Sequence, residues 1–411
     1  MNASPRALPR VTPVLSGAHD PGERLRPLRP VRVLELRSVR GTGGGPEKTI
    51  LLGAAHSDPA RIAVTVCYIR DVRDTVFEID QRARAAGVDY VEVRERHSLD
   101  PAIWPVLRRI VREKRIDIVH GHEYKTDLLA WLLARFEGVV PLSTVHGWSG
   151  DSWRERCVYY PLDLQVLRGF PRVIAVSGAV RERLVRAGVD PAKIAVVQNG
   201  IDETVFRRQP ERSAAVRARF GVAPGEVVVG GVGRLETLKR FDLLIEAFAA
   251  VRAEHPRLRL LIAGEGGARP DLEARIAALG LGGACTLVGQ CRDVIEFHHA
   301  LDLFVQSSAI EASPNVILEA LALETPIVAT DVGGTTELMR PERDGLAVSS
   351  VSARALAAAL GRALADLPAA RRRAASGRRR VEQELSFRAR MAKVDRLYET
   401  LAAVRRAGRA R

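Results

Sequence analysis

The chain has 411 residues, too many for one ordinary hydrophobic core and a suitable length for two middling domains. Its 46% hydrophobic and 27% charged residues, with no apolar run near the roughly 18 residues of a membrane helix, describe a soluble or peripheral globular protein. The net charge of +14 raises nucleic acid or anionic membrane as partners, but no RNA-binding aromatic signature or zinc-finger pattern accompanies the arginines, so no nucleic acid is expected.

In chain order, residues 1 to 30 are rich in Pro and Arg and lack a hydrophobic core segment, so they read as a disordered leader rather than a secretory signal. The runs "VRVLEL", "IAVTVCYI", "DYVEVR", "IDIVHGH", "PLSTVH" and "RVIAVS" then alternate with helical Ala, Leu and Arg segments. That alternation predicts βαβ units and a parallel sheet. A polar, Arg-rich connector near 203 to 225 follows "KIAVVQNGID", and the rhythm restarts with "EVVVGGVGRL", "LRLLIAGEG", "CTLVGQ", "LDLFVQSS" and "PIVATDVGG". The expected architecture is α/β, with two Rossmann-like doubly wound domains, 31 to 202 and 203 to 385, facing across a cleft. Phe387, Met391, Val394, Leu397 and Leu401 recur at helical spacing, which predicts a packing helix in 386 to 411 that turns back toward the first domain and carries no chemistry. Cys67, Cys157, Cys285 and Cys291 form no C-x-x-C pair, giving neither a disulfide framework nor a zinc site and suiting a reducing cytoplasm.

The first glycine-rich turn, "GTGGGPEKT", fails both phosphate-loop templates. A dinucleotide fingerprint needs glycine where Pro46 stands, and a Walker A loop needs glycine at Thr42 and Glu47. What survives is a strand end, glycines that let backbone approach a ligand, and a helix beginning at Pro46 whose free N–H groups favour an anion. In "GVGRLETLKRFDLLIEAF", Arg234 lies just past a strand and Lys239 five residues later, before a helix starting near Phe241. Two cations there can hold a diphosphate and stabilise it as a leaving group. Glu311 and Glu319 have seven residues between them, with Pro314 and Asn315 where the intervening helix begins. A carboxylate accepts two hydroxyl hydrogen bonds at once, so one suits a sugar ring and the other a ribose.

The segments "GRLETLKRFDLLIEAF", "IAGEG", "EASPNVILEAL", "PIVATDVGGTTE" and "VVQNGID" resemble glycosyltransferase family 4, retaining enzymes of GT-B fold, over nearly all of 31 to 405. The resemblance implies a nucleotide diphosphate sugar, UDP- or GDP-linked, as co-substrate, held mainly by the second domain. The acceptor, a saccharide or lipid-linked saccharide, would approach from the first. It implies that Arg234 and Lys239 bind the diphosphate, with Gly233 and Gly264 in the turns beside them. It likewise implies that Glu311 holds the donor sugar, Glu319 the ribose, and Ser313, Pro314 and Asn315 the helix start beneath the phosphates. Gly43 and Gly44 would form the loop closing on the donor, and His146 in "TVHG" would stand near the donor sugar. Catalysis would thus rest on His146, Arg234, Lys239 and Glu311. Lys48 is expected to be a helix-surface lysine.

Two positions depart from the family pattern, Ala312 and Glu324, where glycine is usual. The first could crowd the loop near the sugar, the second alter packing at a helix end. No D-x-D triplet occurs, so Arg234, Lys239 and the helix dipole would take the place of a metal, and no metal ligand set is expected. His120 and His122 in "VHGHEYKTD" are left as cleft-lining, structural or metal-ligating. "PAIWPVLRRIVREKRID" is a basic helix that could touch anionic membrane, though its apolar residues suit packing on the sheet. The activity expected is metal-independent retaining transfer of a hexose-type sugar in polysaccharide or glycolipid biosynthesis. The location is cytoplasmic or peripheral at the inner membrane face. A nucleotide-sugar isomerase or a non-catalytic nucleotide-sugar-binding protein stands as the alternative on the same scaffold.

Overall fold

The computed structural model describes residues 29 to 39, 41, 43 to 148, 153 to 291 and 293 to 409. The expected leader, apart from residues 29 and 30, lies outside them. Among the described residues thirteen strands form two sheets. The first contains β1 (Val31–Val39), β2 (Ile62–Asp71), β3 (Asp89–Glu95), β4 (Ile118–Gly121), β5 (Val140–Val145), β6 (Arg172–Ala175) and β7 (Ile194–Val196). The second contains β8 (Val227–Val232), β9 (Leu258–Ala263), β10 (Cys285–Gly289), β11 (Leu303–Gln306), β12 (Ile327–Thr330) and β13 (Leu346–Val348).

Every pairing is parallel, in the orders β3-β2-β1-β4-β5-β6-β7 and β10-β9-β8-β11-β12-β13. Parallel strands need helical crossovers, and helices on both faces explain why these strands read as continuous apolar runs. In each sheet the order reverses once, between β1 and β4 and between β8 and β11. Ligands bind outside the carboxyl ends of strands at such points. The loops that follow β1, β4, β8 and β11 carry most of the residues singled out in the sequence.

The Arg-rich connector is more ordered than its composition suggests. It contains the helix Ser213–Arg219, and Val216, Val222 and Ile201 are buried in the core of the second sheet. Arg208 explains part of the arginine content, because its guanidinium donates to the backbone carbonyls of His298, at 2.9 Å, and Leu301, at 3.2 Å.

The chain crosses back beside this connector. Phe387 N donates to Ile201 O at 2.8 Å, and Ile201 N to Leu385 O at 3.1 Å. The C-terminal helix, Phe387–Arg409, then buries Phe387, Met391, Val394 and Leu401 among Val31, Val33, Ile118 and Leu142 under the first sheet.

The basic helix Ile103–Glu113 buries Ile103, Leu107, Ile110 and Val111 against the sheet. Two of its arginines are engaged: Arg112 Nε donates to Glu137 at 2.7 Å, and Arg108 also pairs with Glu137. Among the described residues no helix is long and apolar enough to cross a membrane.

Candidate active site

The second sheet brings two of the expected site residues into contact. Lys239 closes a short turn, Thr237–Lys239, after β8, and its Nζ donates to Glu311 Oε1 at 2.6 Å; Ser308 Oγ donates to the same oxygen at 2.7 Å. Both members are largely shielded, with side chains 23% and 11% exposed. A charge-assisted bond in that setting is stronger than one on open surface. Arg234 behaves differently. Its side chain is 68% exposed and pairs with Glu236, so the two cations expected to act together do not converge in this structure. Gly233 and Gly264 lie side by side behind them: Gly233 N donates to Ala263 O at 3.0 Å, and a Cβ on Gly264 would stand 1.8 Å from Gly233 O.

The helix after β11, Asn315–Ala322, has Pro314 at its N-cap, and Glu319 is buried on its second turn. Burial pushes the Glu319 carboxyl up to about 7, with the charge of Lys48 pulling the other way. Lys48 is exposed on the first-domain helix Gly45–His56, as expected, yet its field reaches Glu319 in the second domain. Asn199 Nδ2, from the segment after β7, donates to Asn315 Oδ1 at 2.9 Å and to Ser313 O at 3.2 Å, fixing the helix start.

The first domain meets this structure edge on. A Cβ on Gly45 would stand 2.8 Å from Asn315 Nδ2, so the loop of Gly43 and Gly44 lies against the helix start. Glu47 holds that loop, accepting from Gly44 N at 2.5 Å and pairing with Arg37. Next to it, a Cβ on Gly147 would stand 2.7 Å from Ala312 Cβ. The alanine at 312 is therefore accommodated because its opposite number is glycine, and its methyl packs on the first-domain core. The residue preceding Gly147 is His146, and the residue preceding Ala312 is Glu311. Glu324 adopts a left-handed φ of 51° just past the helix Asn315–Ala322, which explains why glycine suits that position and costs a non-glycine residue about 1 kcal/mol.

Glu337, in the helix Thr335–Leu338, ties the domains further. Its carboxylate accepts from Gly178 N at 2.8 Å and Ala179 N at 3.3 Å, at the positive N-terminus of the helix Gly178–Arg186.

His120 and His122 are both buried in a hydrogen-bond network. His122 Nδ1 lies 3.1 Å from His146 Nε2, and its Nε2 pairs with Glu35 on β1. His120 contacts Tyr398 Oη and Thr144 Oγ1, each at 2.7 Å. Ligand atoms of Glu35, His120 and His122 come within 4.8 Å of one another, but these hydrogen bonds occupy both ring nitrogens of each histidine. Tyr398 comes from the C-terminal helix, whose packing therefore includes a polar contact with this cluster.

The segment after β5 rests on a second acidic pair. Asp127 and Asp163 are buried together, Ser143 Oγ donates to Asp127 at 2.9 Å, and Asp163 accepts from Trp148. Burial lifts Asp127 well above the carboxylate range and Asp163 to about 6, so one proton is shared between them. Raised folded-state values mean the pair adds stability at low pH that is lost as pH rises through about 6. Asp127→Asn makes the donor permanent. Thermal unfolding should show Tm at pH 8 raised by about 2 to 4 °C, the equivalent of roughly 1 kcal/mol, and a flatter profile from pH 5 to 8.

Sequence reasoning missed Glu35, Asn199, Glu337 and Tyr398 as parts of this assembly. Asn199 and Glu337 lay inside segments already noticed, "VVQNGID" and "VGGTTE"; Glu35 and Tyr398 carried no local signal.

Family models agree with this geometry. Residues 43 to 205 match Glycosyltransferase Family 4, and residues 213 to 380 match glycosyl transferases group 1. The D-inositol 3-phosphate glycosyltransferase of Nocardia farcinica is 31% identical over 340 residues, 78% of this chain and 72% of that one. The chain belongs to glycosyltransferase family 4. As a glycosyltransferase it also matches the alpha-maltose-1-phosphate synthase of Mycolicibacterium smegmatis, 31% identical over 66% of this chain and 75% of the other. The fold is that of the Anabaena protein HepE solved with UDP-glucose, with a TM-score of 0.79 at 20% identity over 90% of this chain and 99% of that one. Sucrose-phosphate synthase of Thermosynechococcus elongatus gives 0.76 at 22% identity, over 91% and 100%. The two doubly wound domains expected from the strand rhythm, which the family resemblance identifies as GT-B, are therefore present.

Proposed function

We propose that this glycosyltransferase moves a hexose-type sugar, with retention and without a metal, from a UDP- or GDP-sugar to a saccharide or lipid-linked acceptor. The observation that carries the proposal is the Lys239 and Glu311 pair at the switch point of the second sheet, in a loop whose Ala312 meets Gly147 of the first domain. In this reading Lys239, with Arg234 turned inward, stabilises negative charge as it grows on the leaving diphosphate. Glu311 is handed from Lys239 to the sugar hydroxyls, and Glu319 takes the ribose. The departing phosphate oxygen accepts the acceptor's proton on the face it leaves, so no covalent nucleophile is required. HepE, solved with UDP and with UDP-glucose, favours the nucleotide half of the reading.

A panel of nucleotide sugars, followed by thermal shift and by release of free nucleotide, tests the proposal. One donor should both stabilise the protein and be hydrolysed slowly without acceptor; stabilisation by none of the panel defeats it. A pH series adds an independent check on Glu319. A carboxylate accepts two ribose hydroxyls and a carboxyl does not, and this group sits at about 7. The donor KM should therefore fall about tenfold from pH 6 to pH 8. Glu319→Gln should flatten that dependence at a uniformly higher KM.

A further inference from the structure

The hydrogen bonds behind His146 fix where every proton in the cluster must lie. Tyr398 Oη donates to Glu35 Oε1 at 2.6 Å, and so must accept from His120 Nδ1 at 2.7 Å. His120 Nε2 then accepts from Thr144 Oγ1 at 2.7 Å. The other carboxylate oxygen, Glu35 Oε2, receives His122 Nε2–H. A neutral imidazole with its proton on Nε2 has a lone pair on Nδ1. His122 Nδ1 is 3.1 Å from His146 Nε2, so His146 must supply the proton of that bond. The rings of His122 and His146 stack with centroids 5.4 Å apart, which holds the second ring in register. Among the described residues nothing hydrogen-bonds to His146 Nδ1, and the next residue, Gly147, meets Ala312 in the loop of Glu311.

We propose that Glu35 and His122 are positioning residues for the transfer reaction. Glu35 fixes the proton of His122, and His122 fixes that of His146 on Nε2, so that His146 Nδ1 faces the reaction as a hydrogen-bond acceptor for a sugar hydroxyl. The role of the hydroxyl rests on reading His146 as a donor-sugar residue; the proton placement does not. One negative charge serves the whole cluster. Burial acts to raise Glu35, and the imidazoles of His120 and His122 more than offset it, while burial pushes His122 down to about 4. The C-terminal helix enters the reaction through Tyr398, which occupies the oxygen of Glu35 that His122 does not use.

The test begins with 15N NMR of the full chain labelled at histidine, with no substrate present. His146 should carry its proton on Nε2, with a 15N–15N coupling across the hydrogen bond to His122 Nδ1. A proton on His146 Nδ1, or a cationic His122, overturns the inference. The second arm is kinetic, with thermal unfolding recorded for each variant. His122→Phe keeps a ring in the stack but removes the acceptor, and should lower kcat about tenfold, the worth of one lost hydrogen bond, while binding of free UDP or GDP is unchanged. Tyr398→Phe removes one of two bonds to Glu35 and should give a smaller loss, about threefold. Unchanged kcat in a folded His122→Phe protein overturns the positioning role. Because the NMR arm needs no donor, it decides the proton placement even if the donor-sugar reading of His146 fails.

Discussion

Lys239→Ala is expected to leave a folded protein whose kcat/KM for transfer falls about 10²- to 10³-fold, the usual effect of removing one preorganised group that meets developing charge. The fold should survive because Lys239 sits on a short turn outside the hydrophobic core, and its backbone carbonyl, which accepts from Ser307 Oγ at 2.8 Å, is retained by alanine. Two changes accompany the loss of the cation. Glu311 keeps the hydroxyl of Ser308 at 2.7 Å but loses its counter-charge. A carboxylate left in that position repels the donor diphosphate, so affinity for free UDP or GDP should weaken along with turnover. Lys239→Arg restores the charge with different geometry and should recover part of the rate, since a planar fork does not replace a point charge on a flexible stem. Calorimetry with the free nucleotide and a transfer assay on the same samples separate the two contributions. Wild-type kcat/KM in Lys239→Ala would remove the diphosphate role.

The same contact shows what was legible in the sequence. Lys239 and Glu311 could each be placed at a strand end, because the switch from continuous apolar runs to helical spacing marks where β8 and β11 finish. That they pair with each other is a tertiary fact, since the sugar and phosphate roles assigned separately to them say nothing of how they rest without ligand. Arg234 illustrates the converse, because its position was clear and its direction, toward Glu236, was set by a neighbour two residues away.

Elsewhere the limits were physical too. β13 spans three residues, too few for a period to register. The connector from 203 to 225 looked like a linker because its arginines and polar residues break any regular apolar pattern, yet Val216 and Val222 bury while Arg208 satisfies backbone carbonyls. Glu35 and Tyr398 are 363 residues apart, and each alone is an unremarked polar residue in an apolar element. Lys48 showed a helix surface in sequence, but only the closed approach of the two domains sets its charge against Glu319.

Gly333→Ala should be the most damaging of the single-methyl changes. Gly333 follows β12 with φ +56°, a backbone region where a Cβ costs roughly 1 to 2 kcal/mol. The methyl itself would stand 1.6 Å from the carbonyl oxygen of Glu311, a contact that no rotamer change relieves because both atoms belong to backbone. One of the two loops must move, and they are bound to each other, since Gly334 N donates to Ala312 O at 3.1 Å. Gly334 is itself pressed against Ser177 of the first domain, where a Cβ would stand 2.8 Å from Ser177 Cβ, so the turn cannot simply retreat. The loop of Glu311 is left to yield, carrying its carboxylate away from Lys239 and its Ala312 methyl away from Gly147. A shift near 1 Å at a reacting group costs about 10²-fold in rate. Transfer should therefore fall by at least that factor, while the buried strands on either side keep the protein folded. Thermal unfolding and a transfer assay of Gly333→Ala check the two statements together. A variant that retained wild-type turnover would show that the position of Glu311 does not govern catalysis.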